Sequence, residues 1–102
     1  MIIILTTYPS LEEGELLAER LVTEKLAACV QILPRITSVY FWQGEVKRES
    51  ECLLLIKTLA ERYDAVEAFI RNNHCYSVPE IVAIRSERVF GEYLAWLEAL
   101  AN

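Results

Sequence analysis

One histidine and the cysteine that follows it are the residues of this sequence best suited to hold a metal ion. His74 and Cys75 are adjacent, and imidazole and thiolate groups suit Cu(I), Cu(II) and Zn(II). Two consecutive residues rarely complete a site, because a closed site needs about four ligands. We therefore expect further ligands from Cys29, from Glu80 or from a neighbouring subunit. The competing interpretation is a loop histidine favoured by a helix C-terminus, beside an ordinary thiol.

Lys57 is the residue best suited to an anion. It ends a predicted strand, directly before a helix that Thr58 and Glu61 are predicted to cap with a capping box. A cation beside a helix N-terminus favours a carboxylate or a phosphate. The alternative interpretations are an exposed lysine at a strand end, or a salt bridge to Glu51 or Glu80.

The other thiols and the aromatic side chains have simpler interpretations. Cys29 and Cys52 lie on predicted strands and are expected to be small buried hydrophobes, with metal ligation or redox sensing as the alternative for both. Three cysteines without a CxxC pattern cannot all pair within the chain, so we expect reduced thiols and a cytoplasmic location. Tyr40, Trp42 and Trp96 could stack on a ligand, but packing in the core or an interface is favoured.

The hydrophobic pattern predicts a single α+β domain over residues 1–102 to position these side chains. Its apolar runs predict four strands, at residues 2–7, 28–42, 46–57 and 81–86. Pro34 should bend or bulge the second strand, because proline cannot donate a ladder hydrogen bond. The pair Gln43-Gly44 indicates a tight hairpin between the second and third strands.

Three helices are predicted between and after these strands. The first begins after Ser10, whose capping box with Glu13 marks its N-terminus, and its apolar face continues to about residue 27. The second helix follows Thr58 and ends at residues 72–73, and a third covers residues 90–100. The resulting βαββαβ order is that of a ferredoxin-like fold, in which the first two helices cover one face of the sheet.

The strands are apolar on both sides, and this predicts a surface for self-association. Residues 39–42, 53–56 and 81–84 are hydrophobic at consecutive positions. Two helices on one face leave the second face open, and the third helix can cover only part of it. Large exposed apolar patches are uncommon on soluble monomers, so we expect identical chains to cover the rest. A chain of only 102 residues, 54% of them hydrophobic, also covers its own core poorly. This again indicates that another chain buries part of the apolar surface.

Charge and motifs argue against nucleic-acid binding, membrane insertion and catalysis. A net charge of -5 disfavours contact with phosphate backbones, and the third strand lacks the basic and aromatic pattern of RNA-binding modules. The apolar run at residues 2–5 is too short to span a membrane. A single histidine, with no Ser-His-Asp or HExxH arrangement, leaves little equipment for general-base chemistry. We expect no enzyme and no obligatory cofactor.

Five segments, in order, resemble the CutA divalent-cation-tolerance family. They are ACVQI at 28–32, YFWQGEV at 40–46, ECLLLIKT at 51–58, HCYSVPEI at 74–81 and YLAWL at 93–97. The resemblance implies a ferredoxin-like subunit with an additional C-terminal helix, a PII-like homotrimer, a role in tolerance to divalent metals, and copper binding. Two positions depart from the family pattern, because Cys75 replaces the usual proline and Gln31 the usual asparagine.

The same resemblance implies a ligand-binding cleft where subunits meet, by analogy with PII-like proteins. The residues expected to line it are Gln31, Trp42, Glu51, Lys57, Tyr76 and Glu80. The residues expected to bind a metal are His74, Cys75 and Cys29. Two functions stay open: tolerance to copper or another divalent metal ion, and a PII-like sensor of a small anion or a scaffold without catalytic activity.

Overall fold

A computed structural model describes residues 1–100 of the chain. Its elements, in chain order, are β1 (Ile2–Tyr8), α1 (Leu11–Thr23), β2 (Cys29–Trp42), β3 (Glu45–Thr58), a 3-10 turn (Ala60–Arg62), α2 (Tyr63–Asn73), β4 (Val82–Arg85) and α3 (Gly91–Leu100). The strands form one antiparallel sheet in the order β2-β3-β1-β4. This is the predicted ferredoxin-like α+β fold with an additional C-terminal helix. Residues 101–102 of the predicted domain lie outside the described residues.

The hydrophobic core lies between one face of the sheet and the helices α1 and α2. Along β1 and β3, alternate side chains point into it, as the period of two residues in a strand requires. The fully buried aliphatic residues of this core are Ile4, Leu21, Leu54, Ile56, Val66 and Ile70. Burial of each such side chain stabilises the fold by about 1.5–3 kcal/mol. Among residues 1–100, no helix is both long and apolar enough to cross a bilayer.

The first helix is shorter than predicted. Its N-terminus is capped as expected, because the Ser10 hydroxyl oxygen accepts a hydrogen bond from the Glu13 N–H at 3.3 Å. The helix ends at Thr23 rather than near residue 27. Lys25 has a φ of 60°, a left-handed conformation that terminates a helix. Ala27 therefore reaches the core from the connection to β2 rather than from the helix.

The predicted capping box at Thr58 and Glu61 is wrong. The Thr58 hydroxyl donates to the carbonyl oxygen of Leu26 at 2.7 Å, so it joins the end of β3 to the connection after α1. The 3-10 turn intervenes before α2, which begins at Tyr63 without a side-chain cap. Thr58 is only 3% exposed, and a buried hydroxyl takes whichever partner the fold places beside it.

A bulge in β2 decides which side chains of the following hairpin share a face. Between Leu33 and Ile36, β2 advances by three residues while β3 advances by two, so Pro34 lies within an irregularity as predicted. The extra residue reverses the alternation of side chains along the strand. Ile36, Tyr40 and Trp42 consequently lie on the sheet face that points away from α1 and α2.

The hairpin between β2 and β3 extends beyond the rest of the sheet. Gln43 and Gly44 have φ values of 50° and 82°, which define the tight turn that the sequence predicts. Residues 52–58 of β3 also pair with β1, whereas residues 36–42 and 45–51 pair only with each other. We call these two segments the ribbon. The ribbon gives the chain its elongated shape of 45 × 26 × 23 Å.

The second sheet face is apolar, as the sequence predicts, and α3 covers one end of it. At that end Leu97 is buried, and the Lys57 ammonium lies 5.4 Å from the centre of the Tyr93 ring. Farther along this face, Leu33 on β2 and Val82 on β4 remain 45% and 47% exposed. A hydrophobic surface therefore stays uncovered on the single chain.

Candidate functional site

A cleft of about 660 Å³ lies where the ribbon meets the loop between α2 and β4. Its volume falls within the range of small-molecule sites. The side chains that line it belong to Thr7, Ser38, Val39, Tyr40, Trp42, Glu49, Glu51, Cys75, Tyr76, Ser77, Val78 and Glu80. The ribbon supplies the first wall and residues 75–80 supply the second.

The ribbon wall depends on the bulge in β2. In an antiparallel pair, residues directly opposite each other have side chains on the same face. Ser38 pairs with Glu49, and Trp42 pairs with Glu45, so the side chains at 38, 40 and 42 share a face with those at 49 and 51. Without the additional residue near Pro34, the β2 side chains at 38, 40 and 42 would lie on the opposite face of the ribbon.

Glu51 and Tyr76 join the two walls of the cleft. The Tyr76 hydroxyl donates to Glu51 Oε2 at 2.8 Å, and Glu51 is only 8% exposed. Burial and the hydrogen bond to Glu51 both raise the pKa of Tyr76. The phenol therefore stays protonated and keeps donating to the carboxylate at neutral pH.

Tyr40 and Glu49 form a second pair of this kind on the ribbon itself. Burial, together with a hydrogen bond to Glu49, raises the pKa of Tyr40. Glu49 and Glu51 on the ribbon thus each have a neutral tyrosine hydroxyl beside them. Neither carboxylate takes part in an ion pair with a lysine, arginine or histidine of residues 1–100.

His74 holds the loop in place, and both of its ring nitrogens are occupied. Nδ1 lies 3.0 Å from the Tyr76 N–H, which can only donate, so Nδ1 is the acceptor. Nε2 lies 2.6 Å from the carbonyl oxygen of Thr7, which can only accept, so Nε2 carries the proton. The ring also stacks on Tyr8 with centroids 4.0 Å apart. No ring nitrogen is free to bind a metal ion in this arrangement.

Cys75 is exposed at the rim of the cleft and is the more accessible member of the predicted metal pair. Its pKa is raised by burial and by the nearby charge of Glu13. The thiolate, which is the form that binds metals, is therefore disfavoured at neutral pH. Among residues 1–100, no cationic neighbour lowers the pKa of this thiol.

The other predicted metal ligand, Cys29, lies at the far end of the sheet. It pairs with Lys57, which in turn pairs with Ile3 of β1, whereas His74 contacts Thr7. Four residues along a strand correspond to about 13 Å. Among residues 1–100, no three His, Cys, Asp or Glu side chains are grouped closely enough to hold a metal ion.

The predicted cleft residues divide into two groups within one subunit. Trp42, Glu51, Tyr76 and Glu80 all line the cleft of the single chain. Gln31 and Lys57 do not join them: Gln31 pairs with Leu55, and Lys57 lies beside α3 rather than in a salt bridge to Glu51 or Glu80. Lysine and arginine are missing from the cleft lining that residues 1–100 form.

Glu49 is a cleft residue that the sequence interpretation missed. The sequence contains enough information to identify it, because counting outward from the turn at residues 43–44 pairs Ser38 with Glu49. Tyr40, which was expected to serve in packing, also lines the cleft. Because side chains alternate between the two faces of a strand, Tyr40 and Glu49 are predicted to lie on the same face of the hairpin as Trp42.

Comparison with known proteins gives a consistent family assignment. The family described as CutA1 divalent ion tolerance protein matches residues 2–100. The divalent-cation tolerance protein CutA of Thermus thermophilus is 45% identical over 95 residues, which cover 93% of this chain and 92% of that protein. The solved structure described as the periplasmic divalent cation tolerance protein CutA from Archaeoglobus fulgidus superposes with a TM-score of 0.96, at 38% identity, over 100% of both chains.

A plant relative is longer than this chain. The chloroplastic protein CutA 1 of Oryza sativa is 43% identical over 97 residues. These residues are 95% of this chain but only 55% of the rice protein. The match therefore covers the shared domain and not the remainder of the plant sequence.

Proposed function

This chain belongs to the CutA1 divalent ion tolerance family, and from that membership we propose that it contributes to tolerance of divalent metal ions as a homotrimer. The observation that carries the proposal of an oligomer is the ribbon. Its exposed apolar side chains include Val39 at 57%, Phe41 at 64%, Trp42 at 50% and Val46 at 73%. An isolated two-stranded hairpin is only marginally stable in water, so a second surface is needed to cover it.

The open sheet face supplies a matching surface. Leu33, Val82 and Ile84 are 45%, 47% and 51% exposed, and β2 and β4 are both edge strands. Because the ribbon and the open face are different surfaces, their contact is heterologous, and such contacts form a closed ring when the rotation from one copy to the next closes. A ring of three copies agrees with the PII-like trimer that the family resemblance implies.

Light scattering on the purified chain tests the assembly. Three copies of the 11.7 kDa chain have a mass of about 35 kDa. The variant Phe41→Arg should dissociate the oligomer, because it places a charge in the proposed contact. Leu16→Arg is the matched control, since Leu16 is 58% exposed on α1, and it should keep the mass of the parent. A parent chain that is monomeric at micromolar concentration would contradict the proposal.

A growth assay tests the role in metal tolerance. Cells that lack the gene should grow poorly on elevated copper, and the parent chain should restore their growth. Phe41→Arg should restore growth less well than Leu16→Arg if the oligomer is the active form. Equal growth with and without the gene, over a series of copper concentrations, would count against the role itself.

Copper is the metal proposed for this chain, with Cys75 as the ligand that the loop contributes. A thiolate suits Cu(I), and Cys75 is the exposed thiol of the three. Since residues 1–100 of one chain do not form a group of three ligands, the remaining ligands are expected from other copies. Binding must release the thiol proton, so the affinity should rise with pH. Competition with a Cu(I) chelator should show weaker binding by Cys75→Ser than by Cys29→Ser.

A sensor of a small anion is the second candidate, and the position of Lys57 favours it. Its ammonium lies over the Tyr93 ring and, within residues 1–100, takes part in no ion pair. An adjacent copy could bring this charge to the cleft, which would reunite the residues expected to line it. A thermal-shift series with carboxylates and nucleotides tests this function, and a shift that is absent in Lys57→Gln would support it.

The proposed location is the cytoplasm. All three cysteines, Cys29, Cys52 and Cys75, are free, as expected for a reducing compartment. Relatives are described as chloroplastic in rice and periplasmic in Archaeoglobus fulgidus, so the location must be measured for this chain. Cell fractionation with an epitope-tagged chain would decide it.

A further inference from the structure

Asn73, the last residue of α2, is bonded to three different elements of the fold. Its side-chain oxygen accepts a hydrogen bond from Arg20 Nη1 of α1 at 2.8 Å. Its side-chain amide donates to the carbonyl oxygen of Phe69, one turn earlier in α2, at 2.8 Å. Its own carbonyl oxygen accepts from the Tyr8 hydroxyl of β1 at 3.3 Å. These bonds satisfy polar groups at the helix end, where intrahelical partners run out.

Arg20 holds this helix end from outside α2. Besides donating to Asn73, its guanidinium lies 4.8 Å from the centre of the Phe69 ring. A planar guanidinium can donate through its edge and stack through its face at the same time. We call Arg20, Phe69 and Asn73 the clamp. The clamp ties the last turn of α1 to the last turn of α2.

The chain passes from the clamp directly into the cleft loop, residues 75–80. His74 between them is extended, with φ of −101° and ψ of 143°. The loop is attached farther on through Tyr76, whose N–H donates to His74 and whose hydroxyl donates to Glu51 at 2.8 Å. Three residues span up to about 10 Å, so a tilt of about 10° at Asn73 could move Tyr76 by up to about 2 Å. A shift of that size breaks a hydrogen bond.

We propose that Arg20 is a positioning residue for the cleft: by holding Asn73, it sets the direction in which the cleft loop leaves α2. Arg20 does not line the cleft that residues 1–100 form, so it acts through Asn73. The effect on the loop needs no second copy, because every contact involved lies within one chain. An effect on copper binding rests on the proposed function, in which Cys75 of this loop is the ligand.

Hydrogen exchange measured by NMR on the purified full-length chain tests the positioning role. Arg20→Ala should speed exchange of the Tyr76 N–H by about fivefold, because the loop loses a hydrogen bond from a charged group. The N–H of Ile4, in the central strand β1, should change by less than about twofold. Arg71→Ala is the matched control. It removes a positive charge from the same last turn of α2 and should leave both amides as in the parent.

A double-mutant cycle tests whether Arg20 acts through Asn73. Asn73→Ala alone should also speed exchange at Tyr76, and Arg20→Ala should then add little in that background. Effects that simply add would refute the transmission through Asn73. Equal acceleration at Tyr76 and Ile4 would show a general loss of stability, and this result would overturn the positioning role.

Competition with a Cu(I) chelator separates this role from the proposed copper function. Arg20→Ala should weaken Cu(I) binding by about twofold to tenfold, whereas Arg71→Ala should bind like the parent. Faster exchange at Tyr76 with unchanged Cu(I) affinity would overturn the link from Arg20 to copper. A parent chain that binds no Cu(I) would count against the copper function alone, because the exchange experiment still decides whether Arg20 positions the loop.

Discussion

Replacement of His74 by alanine separates a structural role of this residue from a role as metal ligand. In the structure the imidazole accepts the Tyr76 N–H through Nδ1 and donates to the Thr7 carbonyl through Nε2. It also stacks on Tyr8. His74→Ala removes all three interactions, and these are what hold the cleft loop against the end of β1.

The expected cost follows from these contacts. Each hydrogen bond contributes about 1 kcal/mol net, and an aromatic stack contributes about 0.5–1.5 kcal/mol beyond its buried area. Thr7 is only 5% exposed, so its carbonyl oxygen does not regain a full hydration shell. We expect His74→Ala to lower the free energy of unfolding by about 2–4 kcal/mol.

Urea unfolding followed by circular dichroism measures this difference. Parent and variant must be compared at the same chain concentration, because association stabilises the folded state by mass action. Cys75→Ser is the adjacent control, and its side chain is exposed. It should change the free energy of unfolding by less than about 0.5 kcal/mol. Cu(I) competition on the same samples should show a larger loss of affinity for Cys75→Ser than for His74→Ala.

The opposite pattern would refute this interpretation. If His74→Ala unfolds within about 0.5 kcal/mol of the parent and yet loses copper affinity tenfold, then the imidazole is a ligand. The ring would then have to release the Tyr76 N–H or the Thr7 carbonyl when the metal binds. In that case the hydrogen bonds seen in the structure describe only the metal-free state.

Two further predictions concern stability. A Cβ at Gly14 would lie 2.7 Å from Cys52 Sγ, so Gly14→Ala should destabilise the chain by about 1–2 kcal/mol in urea unfolding. The loss should be smaller in a Cys52→Ala background, and Gly91→Ala, which has open space, should be harmless. Mainly through burial, the pKa of Tyr8 is raised from 10.0 to about 12. The protonated Tyr8 hydroxyl therefore stabilises the folded state fully below pH 10. This stabilisation, about 2–3 kcal/mol, should be lost as the pH rises from 10 to 12. Tyr8→Phe should lack this component, and an identical pH dependence in the two proteins would contradict it.

The sequence determined the elements of the fold. Alternation and apolar runs predict four strands within one or two residues of Ile2–Tyr8, Cys29–Trp42, Glu45–Thr58 and Val82–Arg85. The Gln43-Gly44 turn, the Ser10 cap and the irregularity at Pro34 were also predictable. Each of these depends on local backbone geometry, which a short stretch of residues fixes without reference to the rest of the chain.

Local signals failed where a distant partner competes for the same group. The Thr58 and Glu61 pair has the spacing of a capping box, yet the Thr58 hydroxyl bonds to Leu26 across the fold. Similarly, the helical spacing of apolar residues in the sequence continues past Thr23. The helix nevertheless ends there, and the chain turns at Lys25. Ala27 enters the core from a loop instead. Hydrophobic periodicity reports that a residue is buried, but not which kind of element buries it.

Only the tertiary structure decided how the site residues are grouped. The sequence selected Trp42, Glu51, Tyr76 and Glu80, and the fold brings them together. Lys57 was predicted with them but lies beside α3. Residue type indicates what chemistry a side chain can perform, whereas the register of β2 against β3 and the position of the loop decide which charges share a cleft. Electrostatic interactions depend on distance through space, and separation along the chain does not determine that distance.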